Sequence, residues 1–209
     1  MRIKFIVVAA YFLLCSCDEP AKQKQEVQAP APKEVINNNQ ALTNAVLTVI
    51  KAFNNKDQAA IDGLTSKKYG ITIIYRTGVF NEYKRRDRLN FAQPVPATFP
   101  YPTQLAGQSV TFAKLPKFNC GTMQWDKHGV YCDTITKDTL LSGVPANLIK
   151  YRGDNIPASE TEFYTQLESN SQRIVVAGEE GNSLVFYLTL INNRWYLTAI
   201  DRITTDCSA

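Results

Sequence analysis

From Gln40 to Phe53, Leu42, Ala45, Val46, Val49 and Phe53 recur at helical spacing, with Thr43, Asn44, Thr48 and Lys51 between them. That pattern predicts an amphipathic helix. Asn54-Asn55 ends it, and Asp57 is placed to cap a second, short helix carrying Ile61 and Leu64. After Gly70, the run Ile71-Thr72-Ile73-Ile74-Tyr75 is a strand by its β-branched content. Pro94, Pro96, Pro100, Pro102 and Pro116 mark residues 92–119 as an irregular surface excursion. A helix or a short turn is expected near Ser159 to Leu167, where Ser159 and Glu162 have capping-box spacing but the apolar run after them is short.

The closing segment carries the strongest pattern. Gln172 to Ala177, Ser183 to Ile191 and Arg194 to Ile203 read as antiparallel strands, and Asn192-Asn193 forms the last turn. That turn sets a register of Leu190 against Trp195, Leu188 against Leu197 and Phe186 against Ala199. With Leu184, these residues make one apolar face, expected to lie against Leu42, Val46, Val49 and Phe53. The other face would carry Val185, Tyr187, Thr189, Ile191, Tyr196, Thr198 and Ile200. Tyr187 and Tyr196 make it a candidate interface, because a tyrosine ring buries area while its hydroxyl stays hydrogen-bonded. A second copy, another envelope protein or the proline-rich excursion is expected to cover it.

At the other end, a basic start (Arg2, Lys4) precedes ten uncharged residues, Phe5 to Leu14. Such a run is about half the length needed to span a bilayer, and the pattern is that of a secretory leader. Leu14-Cys15-Ser16-Cys17 resembles the lipobox of bacterial lipoproteins. The resemblance implies cleavage before Cys17 and a diacylglyceryl group on its sulfur, usually with a further acyl chain such as palmitate on the new amino terminus. Several chains together anchor a protein stably where one does not. Asp18-Glu19 resembles an inner-membrane retention signal in proteobacterial lipoproteins and a surface-export signal in those of Bacteroidetes, and both readings stay open. Asp18 to Asn38 is rich in Pro, Ala, Gln and charge, which predicts a flexible tether with a reach of roughly 25 Å. The expected organisation is therefore a leader over residues 1–16, a lipid-anchored tether over 17–38 and one domain over 39–209.

Loss of Arg2 and Lys4 with the leader takes the net charge from +4 to +2, which does not suit a nucleic-acid binder. Of five cysteines, Cys120, Cys132 and Cys207 remain for the folded part. In an oxidising compartment one pair is expected to bridge. Cys120 and Cys132 flank a hairpin-like segment and are the preferred pair, with a bridge to Cys207 as the alternative. His128, the single histidine, falls in the turn-like Asp126-Lys127-His128-Gly129. Its spacing from Cys120 and Cys132 is not a zinc pattern, so neither metal nor other cofactor is expected. Lys84-Arg85-Arg86-Asp87-Arg88 is a basic cluster, expected on a solvated helix or loop face, with an anion or lipid-headgroup patch as the sharper reading.

The segments AVLTVIKAFNNKD and SLVFYLTLINNRWYLTAID resemble the ends of NTF2-like (cystatin-like) domains, of the kind found in Bacteroidetes lipoproteins. The resemblance implies an α+β fold in which a curved antiparallel sheet wraps an N-terminal helix to make a cone. Enzymes of that group often place an Asp, Tyr or His in the cone. Asp201 is the positional match, because simple alternation puts it on the face of Trp195 and Leu197, and these three residues outline the candidate pocket. The leading reading is a non-catalytic envelope lipoprotein, periplasmic or on the cell surface, that binds a small ligand or protein partner. The alternative is an enzyme using Asp201 as acid or base.

Overall fold

The computed structural model describes residues 32–208 apart from 137 and 180, with side chains from residue 38 onward. The leader, Cys17 and most of the expected tether lie outside the described residues. The first helix, α1, runs Pro32–Asn55 and so includes the last part of the stretch expected to be tether. Its apolar stripe is buried as the spacing predicts: Leu42, Val46, Val49 and Phe53 are all 1% exposed or less. The short helix α2 follows at Gln58–Leu64, and the Asp57 carboxylate accepts from the Ala60 N–H at 3.0 Å. That bond satisfies one of the donors a helix start leaves open.

Among the described residues nine strands follow, seven of them in one curved sheet. They are β1 (Ile71–Arg76), β2 (Asn81–Arg86), β3 (Val110–Phe112), β4 (Phe118–Asn119), β5 (Gln124–Trp125), β6 (Gly129–Cys132), β7 (Ser171–Ala177), β8 (Leu184–Ile191) and β9 (Arg194–Asp201). The large sheet has the order β2-β1-β9-β8-β7-β6-β3, and β4 pairs with β5 separately. Most pairs are antiparallel, while β1–β9 and β3–β6 are parallel. The architecture is therefore α+β with a mostly antiparallel sheet. Gly70 precedes β1 at a φ of 65°, where a Cβ would lie 2.3 Å from the Arg86 carbonyl oxygen of the neighbouring strand. Only glycine fits that approach. The basic cluster lies on edge strand β2 and the turn after it, not on a helix.

Helices cover both faces of this sheet. Helices α1 and α2 pack on the face carrying Ile73, Ile174, Phe186, Leu188, Trp195 and Leu197. Two further helices, α3 (Leu140–Asn147) and α4 (Ala158–Ser169), cover the opposite face. Of the helix or short turn expected at 159–167, the structure has the helix, α4, but its N-cap is Pro157 and carries no side-chain cap. Helix α3 was not foreseen, because Gly143 and Pro145 lie inside it and both residues read as breakers. It gives way to a π-helical turn at Leu148–Arg152, closed by Gly153 with φ 79°.

The closing register departs from simple alternation at one residue. Leu190 pairs with Trp195 and Leu188 with Leu197, as expected, but Tyr187 pairs with Ala199 and Phe186 with Ile200. Thr198 has no partner residue and forms a β-bulge. A bulge puts one extra residue on one strand, so every later side chain changes face. Ile200 therefore enters the core under α1, and Ala199 and Asp201 turn to the α3–α4 face. The Thr198 hydroxyl lies 2.5 Å from that of Thr189, which is 2.6 Å from that of Ser171. Three adjacent strands are thus linked by hydroxyls at the bulge.

The candidate interface is corrected in the same way. Tyr187 is 1% exposed, packed with Leu141, Val144, Leu148, Tyr164 and Leu167 of the helical layer. The chain's own helices, rather than a second copy or the proline-rich excursion, cover it. Tyr196 is half-buried near the hairpin end, with the Arg194 guanidinium 5.1 Å from its ring centre.

Candidate functional site

After the bulge, Asp201 faces Arg173 of β7. Arg173 Nη2 donates to Asp201 Oδ2 at 2.5 Å, and the Thr204 hydroxyl donates to the same oxygen at 2.6 Å. The N–H groups of Ile203 and Thr204 donate to Oδ1 at 2.9 and 3.0 Å. The Asp201 side chain has no exposed surface. Its oxygens are thus taken up in closing the C-terminal turn and pairing Arg173. A general base needs a lone pair facing substrate, and Asp201 offers none. The candidate pocket is also divided: Trp195 and Leu197 lie buried under α1, on the face Asp201 has left.

Around Arg173 the structure gathers residues the sequence did not bring together. Asp138 Oδ2 lies 3.3 Å from Arg173 Nε, and the Tyr187 hydroxyl donates to the same oxygen. Asp138 Oδ1 accepts from the Leu140 N–H at 3.1 Å, at the start of α3. Glu168 accepts from the Leu141 and Ser142 N–H groups and from the Ser142 hydroxyl, tying α4 to the N-terminus of α3. Burial raises the Glu168 pKa and outweighs these donors. Burial alone would lower the Arg173 pKa, but Asp201, Tyr187 and Asp138 outweigh it and raise it. Burial also pushes Tyr187 well above the ordinary tyrosine value, so it stays a donor to Asp138. Arg173 was legible only as a lone charge inside a predicted strand. Asp138 carried no sequence signal at all.

A second arginine, Arg202, organises the proline-rich excursion. Its guanidinium donates to the carbonyls of Val95 and Pro100, each at 2.9 Å. It lies 4.2 Å from the Phe99 ring centre and 4.8 Å from that of Tyr101. Burial pulls its pKa down to about 10, so it is still charged at neutral pH. Here the excursion walls a cleft of about 240 Å³ together with the β4–β5 hairpin, the β7–β8 turn and the C-terminal tail. Phe99, Tyr101, Phe118, Met123 and Leu184 line it, and Phe99 and Met123 are 46% and 43% exposed at its edge. Asp201 borders this cleft without presenting its carboxylate to it.

The disulfide helps hold that wall, and it is not the pair the spacing favoured. Cys120, beyond β4, bridges Cys207 in the tail, with 5.5 Å between Cα atoms. Cys132 is a free thiol in β6 with no exposed surface. It points into the α1 core, where burial pushes its pKa up to about 12. Strand alternation aims Cys132 inward, away from the exposed loop holding Cys120. His128 is exposed in the turn before β6. Among the described residues, no three His, Cys, Asp or Glu side chains gather as a metal would need, and no helix is long and apolar enough to cross a membrane.

No known protein family, no curated protein and no solved structure matches this chain.

Proposed function

We propose that this protein is a non-catalytic lipoprotein of the bacterial cell envelope. In this reading Cys17 anchors it, and its domain binds a small, largely apolar ligand in the cleft between the proline-rich excursion and the β4–β5 hairpin. The observation that carries the binding reading is the cleft itself: aromatic and thioether side chains line a concavity held open by Arg202 on one wall and by Cys120–Cys207 on another. Ligand sites are typically concave, mostly apolar and largely pre-formed. The saturation of Asp201 argues against the enzyme alternative. The long helix α1 under a curved sheet supports an NTF2-like ancestry, with α3 and α4 as additions on the far face. The anchor reading rests on Leu14-Cys15-Ser16-Cys17 after the apolar run.

Two measurements on the full chain test this. Intact mass of detergent-extracted protein should give a chain beginning at acylated Cys17, and Cys17→Ala should move the protein out of the membrane fraction. Anilinonaphthalene sulfonate should bind saturably at one site, and Met123→Arg should abolish that binding with thermal stability unchanged. A mature chain without acyl mass sinks the anchor. Equal dye binding by the Met123→Arg variant sinks the cleft.

A further inference from the structure

The basic cluster at the end of β2 lines a cavity of about 420 Å³ between that strand and the proline-rich excursion. Cross-strand partners share a face. Arg86 pairs with Ile71 and so lies on the α1 side of the sheet. Arg85 pairs with Thr72 and lies on the other side, its guanidinium 4.7 Å from the Phe163 ring centre. Arg86 and Arg88 are thus the cations at the cavity, with Arg85 at its rim. Asp87 is the one carboxylate lining it, and among the described residues it pairs with none of the three arginines. Arg88 has a 3.7 Å contact with Asp62 of α2 and stays 66% exposed. Arg86 is exposed as well, with no ion pair and no side-chain hydrogen bond among the described residues. The backbone that carries these groups is fixed. Leu89 is 1% exposed, and its carbonyl accepts from Gln58 Nε2 at 2.7 Å. The Asn90 carbonyl accepts from the Gln93 N–H at 3.1 Å. Asn90 Oδ1 accepts from the Ala92 N–H at 2.9 Å, which leaves Asn90 Nδ2 to donate. Burial raises the pKa of Tyr101, another lining residue, and the charges of Arg202 and, more weakly, Arg86 oppose that rise.

We propose that this cavity binds the phosphate group of a small polar ester. Arg86 and Arg88 donate to the phosphoryl oxygens, and Asn90 Nδ2 adds a neutral donor. A guanidinium fork matches phosphate oxygens two at a time. Two such forks suit a tetrahedral dianion better than a planar carboxylate, which one fork satisfies. The cavity is in the size range of ligand sites and is polar at Asn90 and Gln93, so it has room for a hydroxylated remainder of the ester. A soluble phosphoester and a lipid headgroup present this same chemistry. The site meets the aromatic cleft only at Tyr101 and does not depend on it.

The test is an NMR titration of the uniformly labelled full chain in detergent with glycerol phosphate, dihexanoyl phosphatidic acid and sodium acetate. The phosphates should shift the amides of Asp87–Gln93 saturably. Arg86→Gln should weaken that binding about tenfold or more, as loss of charged hydrogen bonds implies. Arg85→Gln, which removes a charge on the other face, should leave it nearly unchanged. Both arginines are exposed, so the variants should fold as the parent does. Met123→Arg, in the aromatic cleft, should also leave phosphate binding unchanged. Tighter binding of the phosphatidic acid through the same residues assigns the phosphate to a lipid headgroup, and equal or weaker binding assigns it to a soluble ester. The proposal is overturned if neither phosphate gives a saturable shift, or if Arg86→Gln binds as the parent does. It is also overturned if acetate binds as tightly, or if Arg85→Gln loses as much as Arg86→Gln, which would reduce the effect to the field of an exposed basic cluster.

Discussion

Arg173 of β7 reaches across β8 to Asp201 of β9, with Nη2 2.5 Å from Oδ2, and its guanidinium passes 5.9 Å from the Tyr187 ring centre on the way. The pair exists because the Thr198 bulge turns Asp201 onto the face that Arg173 shares. Without that extra residue, Asp201 would face the apolar core under α1.

Removing one partner of a buried ion pair leaves the other charge uncompensated. Asp201→Asn should therefore destabilise the protein by about 3 kcal/mol, read as a lower urea midpoint with an unchanged m-value. Loss of stability with intact dye binding in the aromatic cleft is the expected signature. A variant as stable as the parent would show that the pair does not hold the fold.

The Cys120–Cys207 bridge closes a loop across a sequence separation of 87. Chain-entropy models give about 4 to 5 kcal/mol for a loop of that size. Non-reducing peptide mapping should recover this pair, and native protein should leave Cys132 unreacted with iodoacetamide, since its thiol is buried and its pKa is pushed up to about 12. Cys207→Ser should lower the melting temperature markedly and loosen the β4–β5 hairpin. Recovery of a Cys120–Cys132 peptide would contradict the structure.

Tyr187 and Tyr196 occupy the same strand pair but differ in burial. Tyr187→Glu places a second carboxylate beside Asp138 under the helical layer and should unfold the domain, a loss of about 3 kcal/mol or more. Tyr196→Glu, at the half-buried hairpin end, should cost less than about 1 kcal/mol. Circular-dichroism melts of the two variants check this. Equal behaviour would mean that α3 and α4 do not seal that face.

Hydrogen bonds from the Thr136 and Ile135 N–H groups hold the Asp133 carboxyl below the ordinary carboxylate range. Its folded pKa therefore lies below its unfolded value of about 3.9. The stability it contributes is present above that value and is lost as pH falls through the folded pKa, because the unfolded chain takes the proton first. Asp133→Asn should flatten this part of the acid limb while costing about 1 kcal/mol at neutral pH. Glu168 acts with the opposite sign: burial raises its pKa, so its contribution falls as pH rises from the ordinary glutamate value to the raised one. Urea midpoints from pH 3 to pH 7 for parent and Asp133→Asn decide the matter, and parallel curves would refute it.

Local pattern alone determined much of this protein. The apolar spacing from Leu42 to Phe53, the Asp57 cap, the Ile71–Tyr75 strand and the closing Asn192-Asn193 turn are legible because each depends on neighbours a few residues away. At the turn, both asparagines adopt positive φ, 49° and 61°, which asparagine tolerates better than most residues. The tertiary structure decided what depends on distant partners. Alternation is a rule for unbroken strands, and nothing near Thr198 in the sequence announces a bulge. The bulge sent Asp201 away from Trp195 and Leu197 and joined it to Arg173, a residue 28 positions earlier. Cysteine spacing favoured the near partner, while the inward side of β6 buried Cys132 and left Cys207 to reach Cys120. Helix α3 reads as broken by Gly143 and Pro145, and it persists because packing over Tyr187 outweighs poor helix propensity.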